Sequence, residues 1–377
     1  MGYVAWPHDE LDLESVALSY DKVDSMASPS VSSCKTKVVN SIAFSHDGSQ
    51  IVSNLHRPVT WSTRGDPELE PHEIFDYDQE WGVCSVAFSP DDSRVVGGTT
   101  HSVMVWNTTT GELEYWAKPI QSDVNACICS HDGTRIASGS GNLVQIWDMS
   151  QMESPQDLQR LHRPQGSLVF VGLSCDNRSI AFAARDSIQF WNKPNFVENR
   201  KDFSSEHYIF CCALSRDGRR VGYGLYRAET TSVWVWNIET GTEDQLDQLD
   251  LRTPLDSLAF SYDGCHIVAG FRGGTVRIWN CQARRQISLY QLPAKDDKDF
   301  QYMDSVAFSR DGSRVAFYSS KIVWVWNPAT GQIEHSRSFP TKWSASVAFS
   351  YSDNHVILCE PPDGYIARTS GGGGGVL

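Results

Sequence analysis

Two copies of the tripeptide His-Asp-Gly are the first candidates for chemistry in this sequence, and they begin at His46 and His131. Histidine and aspartate, together with the many serines of the chain, are the residue types of a Ser-His-Asp hydrolase triad. Both tripeptides, however, lie at the same point of a repeated phrase, where other copies place Pro, Arg or Tyr before the Asp. Asp-Gly pairs are typical of tight turns. We therefore interpret both tripeptides as turns and expect no catalytic residues and no enzymatic activity.

Pairs of cysteines suggest metal binding. Cys127 and Cys129 are separated by one residue, whereas Cys211 and Cys212 are adjacent, with His207 nearby. Neither group has the spacing of two Cys-x₂-Cys pairs that typifies a structural zinc site. Because these cysteines lie in apolar runs, we predict buried free thiols and no metal site.

Two other segments suggest ligand binding. Residues 66–80 hold seven carboxylates, but they lack the spacing and turn glycine of a calcium loop. The run Gly-Ser-Gly-Asn at 139–142 resembles half of a phosphate loop, yet it precedes a strand rather than a helix. We interpret the first as a solvated acidic insertion and the second as a turn, and we predict no cofactor.

A phrase of the form apolar-Ala-Phe-Ser-x-Asp-Gly-x-x-apolar recurs along the chain. We align its copies on the aromatic or aliphatic residue that precedes Ser or Cys. The mean spacing of these anchors is about 44 residues, which falls within the range of about 40–50 residues for the blades of β-propellers. The eight anchors are Phe44, Phe88, Ile128, Leu173, Leu214, Phe260, Phe308 and Phe349.

A second phrase, a β-branched run that ends in Trp, follows seven of the anchors by 17 to 22 residues. Turn residues, often Thr-Gly, come after the Trp. Each repeat therefore predicts four short antiparallel strands, a to d, and such sheets bury both faces only when they stack on one another. We predict an all-β fold, a closed β-propeller of four-stranded antiparallel blades. The tryptophans are Trp61, Trp106, Trp147, Trp191, Trp236, Trp279 and Trp326.

The Ala-Phe-Ser-x-Asp-Gly phrase, the Trp followed by Asp or Asn, and the period resemble the WD-repeat family over roughly residues 38–368. The consecutive phrases also resemble the WD-repeat arrays attached to fungal NACHT-type signalling ATPases. The repeats are degenerate, since none has the Gly-His of the family before strand a and only Trp147-Asp148 keeps the Trp-Asp dipeptide. We therefore expect the Trp rings to act mainly in packing.

The eighth repeat lacks a strand d of its own, because only a Gly-rich run follows its strand c. An open last blade would expose a strand edge. We predict one domain over residues 1–369 in which the N-terminal segment 11–19 closes the last blade, giving eight blades, and a flexible tail at 370–377. Seven blades are the alternative, since Tyr3 to Trp6 also resembles a strand c.

The loops that enter strand a vary between otherwise similar repeats. Of the eight positions that lie six residues before the anchors, three are Tyr or Trp, and acidic residues occur close by. Variable aromatic residues on loops are typical of a binding surface. We predict that the partner-binding residues are Trp81, Asp123, Tyr208, Asp256, Tyr302, Asp304 and Trp343.

These observations favour a non-catalytic protein-interaction scaffold or sensor module that binds a protein or peptide on the loop face. The resemblance implies, more narrowly, the sensor portion of a fungal signalling ATPase. The alternative is a propeller enzyme, a hydrolase or lactonase with its site at the central channel. A third interpretation is a structural subunit that joins a larger complex through its acidic loops or sides.

The charge of the chain constrains its partners. It has 46 acidic residues against 32 Lys and Arg, for a net charge of −14. Such a surplus repels phosphates, so we expect no nucleic-acid and no membrane partner, and we expect a basic partner instead. No apolar run is long enough to span a membrane. We predict a cytoplasmic protein, with the nucleus as the open alternative, that is a monomeric propeller or part of a larger complex.

Overall fold

The computed structural model of the chain describes residues 42–45, 47, 49–53, 58–62, 83–99, 102–116, 124–130, 133–140, 143–149, 168–174, 179–192, 197–204, 207–227, 230–250, 254–292, 303–319, 322–338, 347–349, 355–358 and 365–368. All regular secondary structure in these residues is β, in 29 strands. The segment 11–19 and the tail 370–377 lie outside the described residues. Within the described part of the chain, no helix is long and apolar enough to cross a membrane.

The described strands form eight antiparallel sheets, one for each repeat, and the strand order within each sheet follows the chain. We number the sheets 1 to 8 along the chain and call their strands a to d. Sheets 1 to 4 contain β1 (Ile42–Phe44), β2 (Gln50–Ser53) and β3 (Val59–Ser62); β4 (Val83–Phe88), β5 (Arg94–Thr99), β6 (Val103–Asn107) and β7 (Leu113–Trp116); β8 (Val124–Cys129), β9 (Arg135–Ser140) and β10 (Leu143–Asp148); and β11 (Leu168–Leu173), β12 (Ser179–Ala184), β13 (Ser187–Asn192) and β14 (Val197–Asp202).

Sheets 5 to 8 contain β15 (His207–Leu214), β16 (Arg220–Arg227), β17 (Thr230–Asn237) and β18 (Glu243–Asp250); β19 (Leu255–Phe260), β20 (His266–Phe271), β21 (Thr275–Asn280) and β22 (Arg285–Gln291); β23 (Met303–Phe308), β24 (Val315–Ser319), β25 (Ile322–Asn327) and β26 (Gln332–Ser338); and β27 (Val347–Phe349), β28 (His355–Leu358) and β29 (Tyr365–Arg368). Five sheets have four described strands and three have strands a to c. The all-β class and the four-stranded antiparallel sheets predicted from the repeats are confirmed.

The Ser-x-Asp-Gly phrase forms the turn between strands a and b. In sheet 6 the Ser261 hydroxyl donates to Asp263 Oδ1 at 2.6 Å and accepts from the backbone N–H of His266 at 2.9 Å. Gly264 closes the turn with a φ of 67°, a left-handed conformation that favours glycine. In six other repeats the equivalent serine hydroxyl accepts a hydrogen bond from the backbone N–H five residues later. These serines are Ser45, Ser89, Ser130, Ser174, Ser215 and Ser309.

This turn corrects one anchor of the sequence alignment. In sheet 3 the Ser130 hydroxyl accepts from the Arg135 N–H at 2.9 Å, so Ser130 is the equivalent of Ser89 in sheet 2. The anchor of the third repeat is therefore Cys129, the last residue of β8, and the assignment to Ile128 was wrong by one residue. The error arose because the rule accepted an aliphatic residue before either Ser or Cys, and Cys129 itself precedes a serine.

Hydrophobic clusters lie between consecutive sheets rather than within one sheet. The cluster between sheets 6 and 7, for example, joins Val268 and Ile278 to Val306, Phe317 and Trp326. Equivalent clusters join sheets 1 and 2, 2 and 3, 4 and 5, 5 and 6, and 7 and 8. The first strands of successive sheets are neighbours. Within the described residues, sheets that follow one another along the chain therefore bury apolar side chains against each other.

Serines of strand a also tie neighbouring sheets together. Ser85, Ser257 and Ser305 each lie three residues before their anchor, are buried, and accept a hydrogen bond from a backbone N–H of strand a in the next sheet. The donors are Cys127 at 3.1 Å, Val306 at 3.2 Å and Val347 at 3.1 Å, respectively. The sequence analysis did not assign a role to this serine, although it recurs in the phrase Ser-Val-Ala-Phe.

Five tryptophans that end the repeated phrase of strand c have described side chains, and all five are buried: Trp106, Trp147, Trp236, Trp279 and Trp326. Trp106, Trp279 and Trp326 have no exposed surface. Within the described residues the indole N–H of Trp326 has no hydrogen-bond partner, so this ring contributes by packing. Trp147 differs, because its indole N–H donates to the Ser138 hydroxyl at 2.8 Å.

Candidate binding face

The residues predicted to bind a partner were assigned to the loops that enter strand a. Because neighbouring strands are antiparallel, the end at which strand a begins also carries the turns between strands b and c, and we call it the entry face. The opposite end, with the turns from a to b and from c to d, we call the a–b face. Of the seven predicted residues, Trp81, Asp123, Tyr302 and Trp343 lie outside the described residues.

The three remaining residues lie on the first strands of three consecutive sheets: Tyr208 on β15, Asp256 on β19 and Asp304 on β23. The structure thus places them on one face. Asp256 and Asp304 occupy the same position, four residues before the anchor, and Phe210 occupies that position in sheet 5. The side chain at this position is therefore aromatic in sheet 5 and acidic in sheets 6 and 7.

Sheet 5 extends further at the entry face than its neighbours. Each of its four strands has eight residues, whereas those of sheet 6 have six or seven. The added length pairs Tyr208 with Tyr226 across β15 and β16. The Tyr208 side chain is 46% exposed, and the rings of Phe210 and Tyr226 meet edge to face with centroids 5.7 Å apart. We call Tyr208, Phe210 and Tyr226 the aromatic tip.

Asp256 braces the entry face between sheets 6 and 7. Its Oδ1 accepts from Arg272 Nη2 at 3.0 Å, and its Oδ2 accepts from the backbone N–H of Met303, the first residue of β23, at 3.2 Å. The side chain is only 10% exposed. Burial raises the pKa of Asp256 above its usual range, and the Arg272 guanidinium opposes that shift. Both carboxylate oxygens are thus used within the protein, and a contact of Asp256 with a partner stays a prediction.

Cations accompany these residues at the turns between strands b and c. Arg185 and Arg272 lie in these turns in sheets 4 and 6, and the exposed Arg227 is the last residue of strand b in sheet 5. The backbone carbonyl of Arg185 accepts from the Ile209 N–H at 3.0 Å, which places this turn beside the start of β15. The sequence analysis counted residues before the anchors only, and so it missed these arginines and Tyr226. Antiparallel pairing of strands a and b would have indicated them, because it places the end of strand b beside the start of strand a.

Six cysteines have described side chains, and all six are free thiols. Cys127, Cys211, Cys212 and Cys281 are buried. Burial raises the pKa of the Cys127 thiol to about 11 and that of Cys281 to about 12, so both are protonated near neutral pH. Cys129 is half-buried rather than buried as predicted.

Within the described residues, no three His, Cys, Asp or Glu side chains converge in a way that could hold a metal ion. The imidazole of His207 instead forms a hydrogen bond with the Ser204 hydroxyl.

Comparison with known proteins identifies the repeats. A family model described as WD domain, G-beta repeat matches residues 70–107, 118–148 and 252–280. The chain contains WD repeats. The resemblance predicted from the repeated phrases is confirmed, while the narrower resemblance to fungal signalling ATPases stays a prediction.

Two curated WD-repeat relatives span much of the chain. Guanine nucleotide-binding protein subunit beta-1 of Nicotiana tabacum is 22% identical over 267 residues, which is 67% of this chain and 70% of that protein. Target of rapamycin complex subunit wat1 of Schizosaccharomyces pombe is 21% identical over 250 residues, which is 64% of this chain and 77% of that protein.

A solved structure shows the same fold. The β-propeller domain of Cps50 (Swd1) from Myceliophteria thermophila superposes with a TM-score of 0.55 at 15% identity, covering 75% of this chain and 94% of that one. The likeness supports a β-propeller fold for the stacked antiparallel sheets.

Proposed function

We propose that this chain is a non-catalytic interaction module that binds a protein or peptide partner on its entry face. The aromatic tip carries the proposal, because it combines a 46% exposed Tyr208 with a pair of rings held edge to face on an extended sheet. Tyrosine side chains in rigid positions are frequent anchors of protein interfaces. The WD-repeat relatives support the proposal, since two of them are named as subunits of larger assemblies.

The proposed partner is basic overall and carries acidic or carbonyl groups at the point of contact. The net charge of −14 attracts a basic partner at long range. Close to the aromatic tip, however, the exposed Arg227 side chain offers guanidinium donors that need an acceptor. A mixed surface of this kind favours specificity over simple charge attraction.

We also propose that the propeller is a closed ring of eight blades. One sheet for each of eight repeats supports this number. The segment 11–19 would then supply strand d of sheet 8. Deletion of residues 1–20 should lower the midpoint of thermal unfolding, whereas an unchanged midpoint would favour closure without this segment.

The binding proposal is tested by affinity capture from an extract of homologous cells. The intact chain is compared with Tyr208→Ala and with the matched control Tyr262→Ala, which removes a 37% exposed tyrosine from the a–b face. Circular dichroism first establishes that all three are folded. We expect one protein to be captured by the intact chain and the control and lost from Tyr208→Ala. Equal capture by all three, or loss only from Tyr262→Ala, would contradict binding at the aromatic tip.

A further inference from the structure

Two of the free thiols lie across from each other at the a–b face of sheet 6. Strands β20 and β21 pair in one continuous register that begins with His266 opposite Asn280. The backbone N–H of Cys281 donates to the carbonyl oxygen of Cys265 at 2.9 Å, which extends this ladder by one residue pair. Cys265 and Cys281 are thus cross-strand neighbours, although they are 16 residues apart in the sequence.

Both thiols are directed toward sheet 5. Side chains two residues apart along a strand point to the same face. Ile267 follows Cys265 by two residues and Trp279 precedes Cys281 by two, and both belong to the cluster between sheets 5 and 6. Cys281 belongs to this cluster as well. The turn that carries Cys265 also lies against sheet 5, because Arg220 Nη1 donates to the Gly264 carbonyl at 2.7 Å.

The spacing of the two backbones suits a disulfide. Opposed residues that are joined by ladder hydrogen bonds have Cα atoms about 5.5 Å apart, within the range of about 4.4–6.8 Å that disulfides span. Their Cβ atoms are about 4.5–5.5 Å apart, whereas those of a disulfide are about 3.8 Å apart. A bridge between Cys265 and Cys281 would therefore be strained, and strained disulfides are reduced more easily than relaxed ones.

The fold does not require cysteine at these two positions. The equivalent backbone hydrogen bond forms in sheets 2, 3 and 5 between residues of other types, and only sheet 6 of these four has cysteine at both positions. The donors and acceptors are Thr108 to Ser93 at 2.9 Å, Met149 to Thr134 at 2.8 Å and Ile238 to Arg219 at 2.9 Å.

We propose that Cys265 and Cys281 form a redox-sensitive site, at which a small-molecule disulfide such as oxidised glutathione converts both thiols into an intramolecular disulfide. The Cys265 thiolate attacks one sulfur of oxidised glutathione, and the first glutathione leaves as a thiolate that takes up the proton lost from Cys265. Cys281 then loses its proton and attacks the Cys265 sulfur, and the second glutathione leaves as a thiol. Two cysteines are oxidised, and one oxidised glutathione is reduced to two glutathione molecules.

Exposure assigns the first step to Cys265. Cys265 is exposed, whereas Cys281 is only 5% exposed and is shielded from a molecule as large as glutathione. The Cys265 thiol donates to the Asp263 carbonyl at 3.7 Å, so it rotates about its Cα–Cβ bond to meet Cys281. Burial raises the pKa of both thiols, Asp263 adds to this shift, and the Arg220 guanidinium opposes it. The exchange is therefore slow at neutral pH and takes hours.

Mass spectrometry after incubation with oxidised glutathione tests the proposal. The folded chain is incubated for hours, blocked with iodoacetamide and digested with trypsin. The tryptic peptides 253–272 and 278–284 contain Cys265 and Cys281, respectively, and no other cysteine. We expect these two peptides to be joined, and dithiothreitol to separate them. The control Cys127→Ser, which removes a buried thiol of sheet 3, should give the same joined peptides.

Two further variants separate the steps, and circular dichroism first establishes that they are folded. Cys281→Ser has no thiol to displace the second glutathione, so Cys265 should remain glutathionylated. Cys265→Ser should leave Cys281 unmodified. An intact chain without the joined peptides, or with Cys265 joined to a different cysteine, would overturn the proposal. So would a Cys281→Ser variant that is no more glutathionylated at Cys265 than the intact chain, or modification of Cys281 in Cys265→Ser.

Discussion

Trp147 of β10 donates a hydrogen bond from its indole N–H to the Ser138 hydroxyl of β9 at 2.8 Å, and both side chains are buried. Register places Gly97 of sheet 2 at the position of Ser138, beside Trp106. The two sheets therefore accommodate the same tryptophan by different means, a hydrogen bond in one and the absence of a neighbouring side chain in the other.

Replacement of Ser138 by Ala should lower the free energy of unfolding by about 1–2 kcal/mol, because the buried indole N–H of Trp147 loses its acceptor. Urea unfolding followed by tryptophan fluorescence measures this change. Ser313→Ala, which removes an exposed hydroxyl from an a–b turn, is the control and should change the free energy by less than about 0.5 kcal/mol. Equal effects of the two substitutions would mean that the hydrogen bond of Trp147 is not a net contributor.

Replacement of Gly97 by Ala should destabilise the protein by about 1–3 kcal/mol, because the added Cβ would lie 2.5 Å from Cζ3 of Trp106. The midpoint of urea unfolding reports the loss. Gly312→Ala is the control for backbone strain alone. A Cβ added at Gly312 would have no neighbour within 4 Å, but the φ of this residue is +72°. We expect the Gly312 variant to lose about 1 kcal/mol. A Gly97 variant as stable as the unmodified chain would show that Trp106 can move aside.

Replacement of Asp256 by Ala should cost about 2–3 kcal/mol, because Arg272 and the Met303 N–H both lose their acceptor. Asp256→Asn should cost less. It keeps one acceptor oxygen, and it removes a charge whose burial raises the pKa of this group. Thermal and urea unfolding of both variants give the comparison. Asn as damaging as Ala would show that the ion pair with Arg272, rather than hydrogen bonding, stabilises this part of the entry face.

Acid should destabilise the turns between strands a and b. The hydrogen bond from Ser89 lowers the pKa of Asp91 most, with a further hydrogen bond from Ser93, and burial opposes them. An aspartate whose pKa is lower in the folded than in the unfolded state adds stability above the unfolded value of 3.8, and this stability is lost as the pH falls through the folded value. Unfolding in urea between about pH 5 and pH 3 should therefore show a shallower decline for Asp91→Asn than for the unmodified chain. Parallel declines would contradict this role of Asp91.

The repeats and their turns could be predicted from the sequence because they depend on local patterns. Ser89 and Asp91 are two residues apart, and the same hydrogen bond forms from Ser45, Ser215, Ser261 and Ser309 to the Asp two residues later. The eight sheets followed from the spacing of the anchors for the same reason. Among the anchors whose turns are described, the third was misplaced, because Ile128 met the rule of an aliphatic residue before Ser or Cys, whereas Cys129, which precedes the turn serine, did not.

The candidate site could be predicted only in part, because its contacts join residues that are distant in the sequence. Asp256 and Arg272 are 16 residues apart and meet only once β19 and β20 have paired. The repeat pattern does not show whether an aspartate is exposed to solvent or, like Asp256, accepts hydrogen bonds from two neighbouring sheets.

The position of the hydrophobic clusters between sheets, rather than inside them, bears on how such a chain can change in length. Part of every core belongs to the neighbouring repeat, so removal of a few residues within one repeat would leave two apolar surfaces without a match. Removal or duplication of one whole repeat would instead bring similar surfaces together again. Evolution and engineering should therefore alter this architecture in steps of one repeat, about 44 residues at a time.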